Sequence, residues 1–136
     1  MIEKLLCWII LLLAALMSAC GTEVDPARIE RELAYIEAVN MNIWPEDYVG
    51  KTRTVSGQST SGYFTVTDKT YHSVAVPDKS GTYTEKIEYL SADGIYPADG
   101  ISVTVTGKFE VYTENGIQYC RLKDAEIITN EGEYRT

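Results

Sequence analysis

The sequence predicts a mainly β protein, a five-stranded barrel preceded by one short N-terminal helix, and three observations carry that expectation. From Gly50 onward apolar and polar residues alternate with a period of two, most clearly where Ile101, Val103, Val105, Phe109 and Val111 interleave with Ser102, Thr104, Thr106, Lys108 and Glu110. A single helical pattern comes first: Asp25-Pro26 reads as an N-cap with proline at the first helical position, and Ile29, Leu33 and Ile36 follow at three- and four-residue spacing. Glycines fall where strands must turn corners, and closing such a sheet on itself leaves no unpaired edge, which favours a barrel over an open sandwich.

The helix is expected over about residues 27–39, with its apolar stripe against the sheet and Arg28, Glu30, Arg31 and Glu37 in water. Tyr35 to Val39 also alternates as a strand does, so the residues read alone leave 34–41 open between helix and strand. Trp44-Pro45 ends the element in either case, because proline restricts the residue before it. Residues 51–59 form the first strand, with 62–66 its continuation beyond a bend at the small residues 57–62. A turn at 68–70 leads to a second strand over 71–76, and a third follows over 84–90, with Ile87 and Tyr89 on one side and Lys86 and Glu88 on the other. Residues 91–100 hold two Asp-Gly turns and no helical stripe, which makes them a loop. Gly107 marks a bulge in the fourth strand. Asn115-Gly116 supplies a hairpin turn into a fifth strand over 117–122, extended by Ala125, Ile127 and Ile128 before a polar tail.

Three runs resemble the OB-fold: Gly50-Lys51 with Val55 and Gly57 opening strand one, Gly100 with Val103, Val105 and Gly107 opening strand four, and Tyr119, Leu122, Ala125 and Ile127 closing the barrel. The helix common between strands three and four of OB-folds is missing, and the helix before strand one is expected to cap the barrel instead. More narrowly, Pro45 to Thr52, Tyr71-His72, Ile87-Glu88-Tyr89, Tyr96-Pro97 with Asp99-Gly100, and Val103 to Gly107 with Phe109 are similar to uncharacterised bacterial OB-fold-like envelope lipoproteins. Some members of that group carry adjacent cysteines before strand three. Thr82-Tyr83 stand there in this chain, so chemistry that depends on the pair is not implied.

The N-terminus agrees with that likeness. Leu5 to Met17 is an unbroken apolar run, too short for a comfortable bilayer span and suited to the hydrophobic region of an export signal. Ser18-Ala19-Cys20 after it resembles the lipobox of bacterial lipoproteins, with Met17 where leucine is usual and a single lysine, Lys4, ahead of the run. The resemblance implies cleavage before Cys20 and fatty acylation of its thiol. The expected organisation is therefore a signal peptide over 1–19, a lipid-anchored tether over 20–26 and a barrel domain with its helix over 27–136. The protein is then expected in the bacterial cell envelope, membrane-anchored and facing outside the cytoplasm.

Composition narrows the partners. A formal net charge of −8 repels phosphates, and the clustered Lys and Arg that drive counterion release are absent, so nucleic acid is not expected as a partner. With Cys7 in the leader and Cys20 carrying lipid, Cys120 is the one thiol left to the domain, which rules out an internal disulfide; it is expected to be a small buried hydrophobe. His72, the single histidine, is expected on a strand surface without a catalytic role, and the scattered carboxylates match no calcium loop, so no cofactor or metal is expected. Ten tyrosines are the strongest compositional signal, and exposed aromatics on strands two and three of an OB-like barrel suit a recognition face. Tyr71 and Tyr89 are the candidates there. Arg53 joins them as a cation at the barrel mouth, counted inward from Val55, with an intramolecular salt bridge as its alternative role. The leading expectation is a lipid-anchored, non-catalytic envelope protein whose barrel binds a protein or small ligand outside the membrane. A metal-dependent phosphodiesterase-type hydrolase on an OB barrel and a metal- or redox-handling envelope protein are the alternatives.

Overall fold

A computed structural model describes residues 25–130, so Cys20, the leader before it and residues 131–136 lie outside the described part. Asp25 caps the helix as its place before Pro26 suggests, its carboxylate accepting the Ala27 N–H at 3.1 Å. Helix α1 runs Pro26–Ile43, which settles residues 34–41 as helix and carries the element four residues past its expected end. Trp44 terminates it, and Pro45–Asp47 makes one 3₁₀ turn before the sheet begins.

The sheet consists of β1 (Thr52–Phe64), β2 (Lys69–Pro77), β3 (Thr84–Ser91), β4 (Ser102–Glu114) and β5 (Ile117–Thr129). Its strands close in the order β1-β2-β3-β5-β4, with β4 returning to β1. All pairings are antiparallel except β3 with β5, where Glu88 lies opposite Arg121 and Tyr89 opposite Leu122. The expected fold class, mainly β with five strands in a closed sheet and one helix before them, is what the structure has.

Closure turns on two glycines. β1 is one continuous strand rather than two segments separated by a bend, and it changes partner along its length: residues 52–58 pair with β4 and residues 58–64 with β2. Gly57 sits at the exchange, where a Cβ would collide with the Ala75 carbonyl and lie 3.0 Å from Val74. Gly107 faces Arg53 of β1 at the register shift between Thr106 and Lys108, where a Cβ would come within 2.8 Å of the Lys123 carbonyl. Both strands approach closely there because side chains are missing, and the extra curvature is what a bulge supplies. The β4–β5 turn is equally local in origin, since Asn115 and Gly116 both take positive φ, 51° and 78°, as a two-residue hairpin requires.

Inside the closed sheet lie Val55, Val74, Val76, Ile87, Tyr89, Val103, Val105, Phe109, Leu122 and Ala125, the inward members of the alternating runs. Ala38 and Met41 of α1 complete this core, so the helix seals one end. The face it uses is not the expected one. Ile29, Leu33 and Ile36, expected against the sheet, point to solvent, because Ala38 and Met41 lie on the other side of the helix and set which face turns inward.

Gly57→Ala should lower stability by roughly 3 kcal/mol, at the upper end of overpacking costs, because the obstacle is backbone. Gly62→Ala on the same strand meets only the Phe64 ring, at ordinary contact distance, and should melt near wild type. Equal melting temperatures for the two variants in thermal denaturation contradict the partner exchange at residue 57.

Candidate functional site

The outward-facing residues of β2, β3, β4 and β5 build a cleft. The β4–β5 tip runs past the end of the β3 pairing at Arg121 and reaches β2, where the Tyr71 hydroxyl donates to Glu114 Oε2 at 2.6 Å and Lys69 Nζ lies 2.9 Å from Glu114 Oε1. Two adjoining hollows result, of about 560 and 410 Å³, and both are lined by Tyr71, Glu88, Tyr112 and Glu114. The smaller one lies between the β1–β2 turn and the β4–β5 tip, with Phe64 and Val66 on one wall and Ile117 and Tyr119 on the other. All four wall residues are exposed, Val66 by 89 %.

The floor is a chain of charged and phenolic groups. Tyr112 donates to Glu88 Oε2 at 2.5 Å, and Arg121 lies 3.8 Å from Glu88 Oε1. Arg121 Nε also donates to Glu110 Oε1 at 2.7 Å, and the guanidinium carbon stands 4.1 Å from the centre of the Tyr112 ring. Tyr112 stacks on Tyr119 at 5.5 Å, and Phe64 meets Tyr71 edge-on at 5.3 Å. Such a network holds the rings in place before any ligand arrives. Burial pushes the Glu88 carboxyl above the usual carboxylate range, against the opposing pull of Tyr112 and Arg121. Glu114 goes the other way, lowered chiefly by its hydrogen bonds from Tyr71 and Lys69. Burial, then the bond to Glu88, raises Tyr112 well above an ordinary phenol, so it remains a donor at neutral pH.

Of the three residues singled out in the sequence, Tyr71 and Tyr89 both border the larger hollow and Arg53 does not. Tyr71 is half-buried in the floor of the cleft, as a recognition face requires. Tyr89 is a correction: it is 1 % exposed, part of the core, because it lies on the inward side of β3 with Ile87. Arg53 is a second correction, since it lies outside the cleft at the β4-paired end of β1. There it takes the alternative role, 3.5 Å from Glu37 of α1 and beside the Tyr48 ring at 5.3 Å. The cations in the cleft are Arg121 and Lys69. Glu88, Tyr112, Glu114 and Arg121 carry no motif, and only the outward phase of their strands, shared with Tyr71, could have pointed to them.

His72 also differs from expectation. It is half-buried at the border of the larger hollow, stacked on Tyr96 at 3.6 Å with Nδ1 buried, and burial lowers its pKa. Cys120 is half-buried beside the end of α1, donating weakly to Asn42 Oδ1 at 3.2 Å, and its thiol is pushed up to about 11 by burial and by Glu88 and Glu85. A thiol so raised is unreactive at neutral pH. Cys20 lies outside the described residues.

The two floor carboxylates should titrate in opposite senses. A carboxyl raised on folding stabilises the fold while protonated, and that contribution is lost as pH rises through its folded pKa; Glu88 behaves so. Glu114, depressed on folding, contributes above the ordinary carboxylate pKa, and the contribution is lost as pH falls through its folded value. Carboxyl carbon NMR should therefore find Glu88 titrating above Glu114, and the reverse order contradicts this geometry. In comparisons with protein-family models, curated proteins and solved structures, none matches the chain.

Proposed function

We propose that this is a lipid-anchored, non-catalytic binding protein of the bacterial cell envelope, which takes a protein segment or small ligand into the cleft between its β1–β2 turn and its β4–β5 tip. One observation carries the reading. Exposed Phe64, Val66, Ile117 and Tyr119 stand over a floor of Tyr71, Glu88, Tyr112 and Glu114, at the position where OB-like barrels present their recognition surface. Apolar walls give affinity by losing water, and ordered hydroxyls and carboxylates give orientation. The arrangement suits binding more than catalysis, because Glu110 and Glu114 each accept from a cation and Glu88 from Tyr112. The lone imidazole borders the larger hollow but is stacked flat on Tyr96, and burial lowers its pKa.

The anchor rests on the lipobox-like Ser18-Ala19-Cys20 after the apolar run. Intact mass of the protein extracted from membranes should show loss of residues 1–19 and added acyl chains. Retention of the leader, or a Cys20→Ala protein cleaved and membrane-held like wild type, contradicts it.

For the cleft, a photoreactive phenylalanine analogue replacing Tyr119 should form adducts in the envelope that the same analogue at Thr54 does not. Thr54 faces outward on β1 opposite Thr106, away from the cleft. Adding Phe64→Ser should remove those adducts while the melting temperature stays within a few degrees, since Phe64 is exposed. Equal adducts at both positions contradict the assignment.

A further inference from the structure

Helix α1 has two apolar faces, and the sheet covers one. Ala38 and Met41 enter the core, whereas Ile29, Leu33 and Ile36 are 43, 59 and 46 % exposed, and Ile43 and Trp44 continue the line at 58 and 56 %. At helical spacing these five residues occupy an arc of roughly 100°, centred opposite Ala38. Flanking acids are drawn away from that arc: Glu32 reaches Lys79 at 3.5 Å, and Glu37 reaches Arg53 at 3.5 Å. Asn40, one turn after Ile36, is the polar interruption in an otherwise apolar outward stripe, which has a tryptophan at one end.

We infer that this stripe lies in the interfacial layer of the membrane, so that α1 is held between lipid on one side and the closed sheet on the other. The inference rests on the proposed anchor at Cys20. Cys20 precedes the N-cap Asp25 by so few residues that the helix starts within roughly 17 Å of the lipidated sulfur even if the tether is fully extended. The nearest apolar phase to Ile29 and Leu33 is then the bilayer itself. Trp44 suits the headgroup depth, where an indole keeps its ring in hydrocarbon and its N–H in water. Charge selects the kind of surface. The chain carries −8 and the stripe has no cluster of Lys or Arg beside it, so a zwitterionic bilayer fits and an anionic one is disfavoured.

The test uses the full protein extracted from membranes and reconstituted into phosphatidylcholine vesicles with brominated acyl chains, which quench tryptophans that enter the interface. Subtracting the signal of a Trp44→Phe protein isolates Trp44 from Trp8. Trp44 should lose roughly half its emission, independently of salt, and less when phosphatidylglycerol is added. Leu33→Ser with Ile36→Ser should return the quenching to background without shifting the melt, because both positions are exposed. Intact mass measured on the same sample keeps the two readings apart. Quenching with Cys20 unmodified supports the docked stripe and removes the anchor; an acylated, vesicle-bound protein whose Trp44 is unquenched overturns the docked stripe and leaves the anchor. Failure to bind vesicles at all overturns both. A dimer in detergent that Leu33→Ser dissociates, with Trp44 unquenched in vesicles, assigns the stripe to a second copy and overturns the inference.

Discussion

Strand β1 serves two neighbours in turn, β4 over its first half and β2 over its second, and the rest of the structure depends on the point where it passes from one to the other. At Gly57 the β2 backbone comes closer than any side chain allows. That approach bends one long strand around the core, so five strands suffice to close the sheet, with β3 and β5 meeting in parallel on the far side. Gly107 performs the complementary task in β4, where a register shift sharpens the curl of the β4–β5 hairpin. Without both approaches the hairpin tip has no reason to lie over β2, and Tyr71 does not meet Glu114.

The cleft is therefore a product of closure rather than of any local motif, and its electrostatics follow from its position. Three glutamates, Glu88, Glu110 and Glu114, share this outer surface with Arg121, Lys123 and Lys69, so an acidic protein keeps a locally balanced floor. Balance allows the aromatic rings to be held by hydrogen bonds to carboxylates without leaving a bare buried charge, a penalty that otherwise costs several kcal/mol. The helix contributes through a different physical term. Its inner face removes Ala38 and Met41 from water and seals the core, while Arg53, which alternation places inward, is neutralised by Glu37 from that same helix.

Much of the fold is legible in the sequence because its causes are local. Alternation from Val103 to Phe109 needs only the two-residue period, and Asn115-Gly116 needs only tolerance of positive φ. The N-cap at Asp25 is a contact between near neighbours. What is not legible depends on contacts between distant segments. Alternation puts Ile87 and Tyr89 on one side of β3 but does not say that this side is sealed, so Tyr89 reads as a ligand contact when it is core. Arg53 finds its partner in a helix sixteen positions earlier, which no period displays. The helix carries apolar residues on two faces, and the larger stripe, Ile29, Leu33 and Ile36, is the natural choice for burial. Small Ala38 and slim Met41 fit the end of the closed sheet instead. Of the cleft, Tyr71 could be read from the strand pattern; Glu88, Tyr112, Glu114 and Arg121 become a site only once β3 and β5 lie side by side.

The central claim is that closure of the sheet brings the β4–β5 tip over β2 and so creates the cleft. The most direct measurement is the set of long-range proton contacts seen by NMR in the folded protein. The Tyr71 ring should show contacts to the Glu114 side chain, together with contacts between Tyr89 and Leu122 across the parallel pairing. A Tyr71 ring that contacts only its β1 and β3 neighbours, with Tyr89 and Leu122 still in contact, means that the tip stands away from β2, and it contradicts the account of how the cleft is made.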